Sequence, residues 1–177
     1  MTRHDSWRFG RISSLGLLVL ALSTAACVTG ELPVRWSPGD AELPALEQGV
    51  LDELQAYYDD FSERDWEAYP THFWPGATLV TIWQAEGEPE PRVFASSVPE
   101  FVAKAPEGPG SAPIFAEWMT AAELRVDEHG LAQAWVDYDA HFGEEGALFE
   151  WSGVDAFTLL RHDGRWRIVS LAYVSTK

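Results

Sequence analysis

Residues 157–174 read FTLLRHDGRWRIVSLAYV, two apolar runs hinged at His162-Asp163-Gly164. Asp and Gly tolerate the positive φ of a tight turn, so this pair between runs rich in β-branched and aromatic residues predicts a β-hairpin. The pattern repeats upstream. Gly143-Glu144-Glu145-Gly146 separates a run at 131–142 from one at 147–161, and Glu128-His129-Gly130 separates 117–127 from 131–142. With 165–175 this makes a meander of four long strands joined by short turns.

The preceding residues are of a different kind. Leu46, Val50, Leu54, Tyr57 and Phe61 recur every three or four positions, set against Glu47, Asp52, Glu53 and Asp60. That spacing predicts an amphipathic helix. Asp65 can cap a shorter second helix carrying Trp66, Tyr69 and Phe73, with Pro70 able to kink it. Pro75-Gly76 then releases a strand over 77–83, and a short helix starts near Ser97. The segments 86–92 and 107–113 are Pro- and Gly-rich loops. Helices followed by a strand meander predict an α+β domain, a strongly curved antiparallel sheet wrapped around the N-terminal helices.

The chain has 177 residues, 46% hydrophobic and 13% aromatic, enough for one packed domain. Net charge is −16, and residues 1–26 hold Arg3, Arg8 and Arg11 against Asp5 alone, so the remainder is more acidic still. Such a surface repels phosphate backbones and argues against nucleic acid as a partner.

Residues 1–26 read as a signal peptide: a basic start, the apolar run ISSLGLLVLAL, then small residues. Ser23-Thr24-Ala25-Ala26-Cys27 resembles a bacterial lipobox, with Thr24 where Leu is usual. Cleavage after Ala26 without lipidation is the alternative. Cys27 is the only cysteine, so no internal disulfide forms, and lipidation would remove an exposed reactive thiol. Residues 27–44, with three prolines, then read as a lipidated Cys and tether, and 45–177 as the domain. Val28 after the cysteine, by resemblance to enterobacterial sorting, implies an outer-membrane lipoprotein facing the periplasm.

Asp65-Trp66-Glu67-Ala68, Phe73-x-Pro75-Gly76-Ala77 and the run DGRWRI at 163–168 resemble the nuclear transport factor 2-like superfamily over residues 45–176. Its SnoaL-like and ketosteroid-isomerase-like branches are nearest; Gly76 departs from the Asp common before the first strand. The resemblance implies a cone whose bent sheet encloses a pocket. Ketosteroid isomerases use a helical Tyr and a protonated Asp against an oxyanion, with a second Asp as base. Carried over by position, the Tyr is Tyr57. The base position holds Thr81, which cannot take the proton, and the oxyanion Asp position holds Ala156, with Asp155 one residue away. One role of three survives, which argues against an isomerase of that kind.

The same carry-over sets the faces. Thr81 and Ala156 inward imply Leu79, Trp83, Val154 and Thr158 inward, and by alternation Glu150 at the cone mouth. On 131–142 the small set Ala132, Ala134, Val136, Tyr138 and Ala140 suits the inner face. Asp137, Asp139 and His141 then share the convex face, read as solvated or a dimer rim; a metal site and an acid–base pair are the alternatives. Trp135, Trp151, Phe157 and Leu159 are placed on that face too, which predicts a two-fold homodimer through the convex sheet.

The expected pocket is Tyr57, Thr81, Trp83, Val136, Tyr138, Val154, Ala156, Val169, Leu171 and Tyr173. No metal site and no cofactor is expected. Candidate catalytic residues are Tyr57, His72, Glu150 and Asp155, with His72 also readable as a structural histidine. His129 and His162 sit in turns and read as solvated. Three functions compete: a binder of a small apolar or aromatic ligand, a SnoaL-like cyclase, isomerase or dehydratase, and a protein-assembly module of the cell envelope.

Overall fold

The computed structural model describes residues 32–84 and 87–176, Trp83 by its backbone alone. The expected signal peptide and Cys27 lie outside the described residues. Helix α1, Ala45–Glu63, buries Val50, Leu51, Leu54, Tyr57, Tyr58 and Phe61. This stripe is wider than the sequence pattern suggests, as a helix seated inside a concave sheet requires. It stops at Arg64, whose left-handed conformation (φ 60°) lets its N–H reach back to the carbonyls of Asp60 and Phe61.

Asp65 caps the next segment, its Oδ1 accepting from the N–H groups of Glu67 (3.1 Å) and Ala68 (2.8 Å). In place of the expected second helix there is only a 3-10 turn, Tyr69–His72, and Phe73 is already in a strand. Helix α2, Val98–Lys104, has a reciprocal capping box between Ser97 and Glu100.

Among the described residues there are seven strands: β1 (Val34–Trp36), β2 (Phe73–Trp83), β3 (Arg92–Ser97), β4 (Ile114–Val126), β5 (Leu131–Glu144), β6 (Ala147–His162) and β7 (Arg165–Thr176). They form one curved, unclosed sheet in the order β1-β4-β5-β6-β7-β2-β3. Two strands are additions to the sequence reading: β1, inside the stretch read as a tether, and β3, after the acidic loop. β1 is held by β4, a partner distant in sequence. β3 folds back on β2 across the acidic loop. The sheet is not wholly antiparallel either. β2 leaves the 3-10 turn beside the start of β7 and runs parallel to it.

Register decides which side chains enter the cone. β5 and β6 close through a turn at Glu145-Gly146, with Glu144 opposite Ala147, Tyr138 opposite Gly153, and Val136 opposite Asp155. Directly opposed residues share a face. The inner face of β5 is the expected set, so Asp155, Phe157 and Leu159 are inward, and all three are buried. The carry-over parity for β6 is therefore off by one. Val154 and Ala156 lie on the outer face opposite Asp137 and Trp135, and Glu150 is exposed opposite His141. Trp151, Phe157 and Leu159 belong to the core side rather than the convex surface.

Two bulges re-aim the neighbouring strands. In β4 a register shift between Met119 and Ala121 changes the inward series from Phe115 and Met119 to Ala122 and Leu124. Glu117 lies between the first two and is carried inward with them. In β7 the shift at Val169 separates inward Trp166 and Ile168 from inward Leu171 and Tyr173.

One clamp ties α1 to this region. Ser62 Oγ donates to the Glu117 carbonyl (2.7 Å) and accepts from the Glu117 N–H (2.8 Å), satisfying the backbone groups that β5 does not pair. Ser62→Ala leaves both without their partner, and urea unfolding should show a loss of about 1–3 kcal/mol. An unchanged midpoint would mean that water replaces the clamp.

Candidate functional site

Between α1 and the concave face lies a cavity of about 220 Å³. Tyr57 and Phe61 of α1, Tyr138 of β5, Trp151 of β6 and Tyr173 of β7 give it ring-lined walls, with Phe101 and Phe115 beside them. Leu79, Leu171 and Pro109 complete the apolar lining. Three polar groups besides the tyrosines reach it: Glu117, Asp155 and Ser175.

Local packing explains how the rings stand open. Tyr138 lies across Gly153, where a Cβ would come within 2.2 Å of its ring, so only glycine lets the tyrosine turn toward Ser175 (3.4 Å between hydroxyl oxygens). Tyr57 is held edge-on by Tyr58, Phe73 and Phe157.

The two carboxyl groups determine the electrostatics. Asp155 is 2% exposed, and its Oδ2 accepts a 2.6 Å hydrogen bond from the Tyr58 hydroxyl. Burial pushes Asp155 up to about 7, against the lowering effect of that bond. Glu117, whose side chain opens on the cavity, is held well above the usual carboxylate range, first by removal from bulk water and then by the proximity of Asp155. Among the described residues, no Lys, Arg or His lines the cavity to offset them. The tyrosines are raised in turn, chiefly by burial, Tyr138 to about 12, so they act as neutral hydroxyls. A cavity of this kind can sandwich a ring, donate hydrogen bonds from phenols and from a protonated acid, and exchange a proton near neutral pH.

Of the expected pocket residues, Tyr57, Tyr138, Leu171 and Tyr173 line the cavity. Val136 is fully buried beside it. Thr81 shares the inward side of β2 with Leu79, but its hydroxyl is spent on the Tyr173 carbonyl (2.8 Å). Val154 and Ala156 are on the outer face, Val169 is in the bulge, and the Trp83 side chain lies outside the described residues. Asp155 is the one expected acid that the fold brings in; Glu150 is outside. Glu117 is absent from the sequence-based candidates. The signal for it is present as Phe115-x-Glu117-x-Met119, a carboxylate in the inward series of a strand, visible only once β4 is started at 114 rather than 117.

His72 does not face the cavity. Its Nδ1 lies 2.9 Å from Glu53 Oε1 and its Nε2 2.8 Å from Asp60 Oδ2, a clasp between the 3-10 turn and α1. Burial alone would lower its pKa, yet the hydrogen bonds and charges of Glu53 and Asp60 leave it raised above 6.5. On the outer face, Asp139 accepts from Ser152 (2.7 Å) and His141 packs against Trp118.

A family model described as "Putative lumazine-binding" matches residues 45–174. The chain belongs to that family. Its members' cone is the nuclear transport factor 2-like fold expected from DGRWRI, and solved structures share it. One is the beta subunit of benzoate 1,2-dioxygenase from Burkholderia mallei, with TM-score 0.60 and 10% identity, covering 77% of this chain and 93% of that one. Another is named a "putative scytalone dehydratase", from Novosphingobium aromaticivorans, with TM-score 0.58 and 13% identity over 74% and 84% of the two chains. A third, from Xanthomonas campestris, is named a "putative calcium/calmodulin dependent protein kinase II association domain", with TM-score 0.58 and 14% identity over 80% and 92%. At such identities they show the fold alone. No curated protein matches the chain.

The titrating groups of this family member give two pH effects. The carboxyls with raised pKa hold more protons folded than unfolded, so their stability contribution is greatest at low pH and falls as pH rises from the ordinary carboxylate range through about 7. Asp155→Asn and Glu117→Gln should therefore raise Tm at pH 8 by roughly 5 °C and change it little at pH 4, read by thermal unfolding. A Tm loss at pH 8 would show that the acids are ionised and paired instead. His72⁺ stabilises below 6.5, and its contribution is lost as pH rises through its raised pKa. Its ring proton shifts in NMR should titrate above 6.5, and Asp60→Asn should bring the midpoint down; an unmoved midpoint would remove Asp60 as a cause.

Proposed function

We propose that this chain is an envelope lipoprotein, anchored through Cys27, whose cone binds a small planar ligand of one or two rings. The observation that carries it is the cavity itself: about 220 Å³, walled by aromatic rings, with polar groups gathered at Glu117, Asp155 and Ser175. Its volume lies below the range of roughly 300–1,000 Å³ typical of sites for drug-sized molecules, which limits the guest to a small one. Rings on facing walls suit stacking, and the carboxyls suit a polar edge. The family's description as lumazine-binding supports the same reading, since lumazine is a flat two-ring heterocycle with a polar rim. The anchor is supported by the lipobox-like run at 23–27.

A second reading, an isomerase- or dehydratase-type enzyme, has one specific observation in its favour. Of the bases expected from the sequence, His72, Glu150 and Asp155, only Asp155 lines the cavity, and burial shifts its pKa to about 7. In that reading Tyr57 or Tyr138 polarises a carbonyl and Asp155 moves the proton. The scytalone dehydratase name of one structural neighbour is compatible with it.

Homodimerisation through the convex sheet is supported by Trp135, 59% exposed, and Trp118, 41% exposed, on the outer side of β5 and β4. Native mass spectrometry of the full chain as isolated, beside its denatured mass, tests these readings together. We expect an adduct of small mass lost on denaturation, a dimer, and a denatured mass that starts at an acylated Cys27. A chain with no adduct that also binds no added lumazine would overturn the binding reading. An unmodified residue 27 would overturn the anchor, and a monomer the dimer.

A further inference from the structure

We infer that the ligand suited to this cavity is an organic cation, an ammonium or amidinium group carried on an apolar or aromatic body. This rests on the reading of the cavity as a binding site and names the chemical class of its occupant.

Two acids, the buried Asp155 and the half-buried Glu117, line the cavity, and no cationic side chain among the described residues lines it with them. Glu117 makes its hydrogen bonds to Ser62 through the backbone, and its carboxylate has no hydrogen-bond or ion-pair partner among the described residues. Asp155 uses Oδ2 for Tyr58, and Oδ1 has no partner among them. A cation, Arg64, stands at Phe115 with its guanidinium 5.9 Å from the ring centroid; Phe115 lines the cavity and Arg64 does not. Buried carboxylates in proteins are paired, or else stay neutral by taking up protons. Here the partner is missing from the protein's own cavity lining, and the space where it would stand is open.

The walls complete the chemistry. Tyr57, Tyr138, Trp151 and Tyr173 offer ring faces and edges, and an aromatic box attracts a cation through the negative face of each ring. A bare metal ion fits poorly, because hard cations seek six or more oxygen ligands and these walls are mostly carbon. The acidic surface adds a field that concentrates cations near the protein.

Proton balance gives this class a sign of its own. Burial raises the pKa of both acids, so a cation that needs an ionised carboxylate enters as a proton leaves, and its affinity rises with pH. A neutral guest that accepts a hydrogen bond from the protonated acid would show the reverse. The other titratable groups facing the pair are Tyr57 and Tyr58 of α1, Tyr69 of the 3-10 turn, Tyr138 of β5 and Tyr173 of β7, all raised by burial and neutral throughout the range used.

The test is calorimetric titration of the full chain with phenyltrimethylammonium, whose charge does not titrate, and with tert-butylbenzene, the same shape uncharged. A group titrating at about 7 that must ionise for binding makes the cation roughly 30-fold tighter at about pH 8.5 than at about pH 5.5. Buffers of differing ionisation heat should show proton release near neutral pH, a readout that needs no variant. Asp155→Asn combined with Glu117→Gln should flatten the pH dependence. If tert-butylbenzene or lumazine binds and the cation does not, or if cation affinity falls with pH, the cation is overturned and the binding reading stands. If no probe binds and no adduct is found on the isolated chain, both fail.

Discussion

The hydrogen bond from Tyr58 to Asp155 joins α1 to the middle of the sheet, and the interior is arranged around it. Tyr58 is fully buried, and its partner sits opposite Val136 on one side and Tyr173 on the other. A carboxyl at this depth is tolerated because one oxygen is satisfied and burial favours its neutral form. The bond also fixes the rotation of α1. With Tyr58 committed to Asp155, Tyr57 turns its edge to Phe157 and its remaining surface to the cavity. One contact thus sets both the seat of the helix and the polarity of the pocket.

The sheet's irregularities matter as much as its regular ladder. A strand without bulges keeps one parity from end to end, which would leave either Met119 or Leu124 on the wrong face of β4. The shift near Thr120 lets both point inward and brings Glu117 with them. The shift at Val169 does the same for Ile168 and Leu171 in β7. Curvature, core and cavity therefore share a cause: bulges bend the strands where the inner series must change phase.

Much of the architecture is legible from residues alone, and the failures have specific reasons. Asp163-Gly164 and the run Gly143–Gly146 mark their hairpins because positive φ favours Gly and tolerates Asp, and Asp163, Gly164, Gly143 and Gly146 do adopt it. The Ala/Val/Tyr series of β5 goes inward as its small side chains suggest. The inward residues of β6 are misassigned when the position is counted from a distant family pattern. Counting across the Glu145-Gly146 turn pairs Val136 with Asp155 and gives the observed face. Trp151, Phe157 and Leu159 are mistaken for surface by the same slip. Glu117 escapes notice because charge on a strand ordinarily reads as solvent-facing, and because the bulge after Met119 puts it out of phase with inward Ala122 and Leu124 while in phase with Phe115 and Met119.

By itself the sequence determined the α+β class, the helix stripe, the four-strand meander and the acidic character of the chain. These depend on local periodicity, turn chemistry and composition, which need no knowledge of distant neighbours. The tertiary structure alone decided that β2 lies parallel to β7, that β1 extends the sheet, and that His72 is clasped by Glu53 and Asp60. It also decided that Glu117 and Asp155, 38 positions apart on two different strands, face one aromatic cavity. The reason is physical: a side chain's face depends on register and bulges, and its ionisation on what the fold removes from water around it.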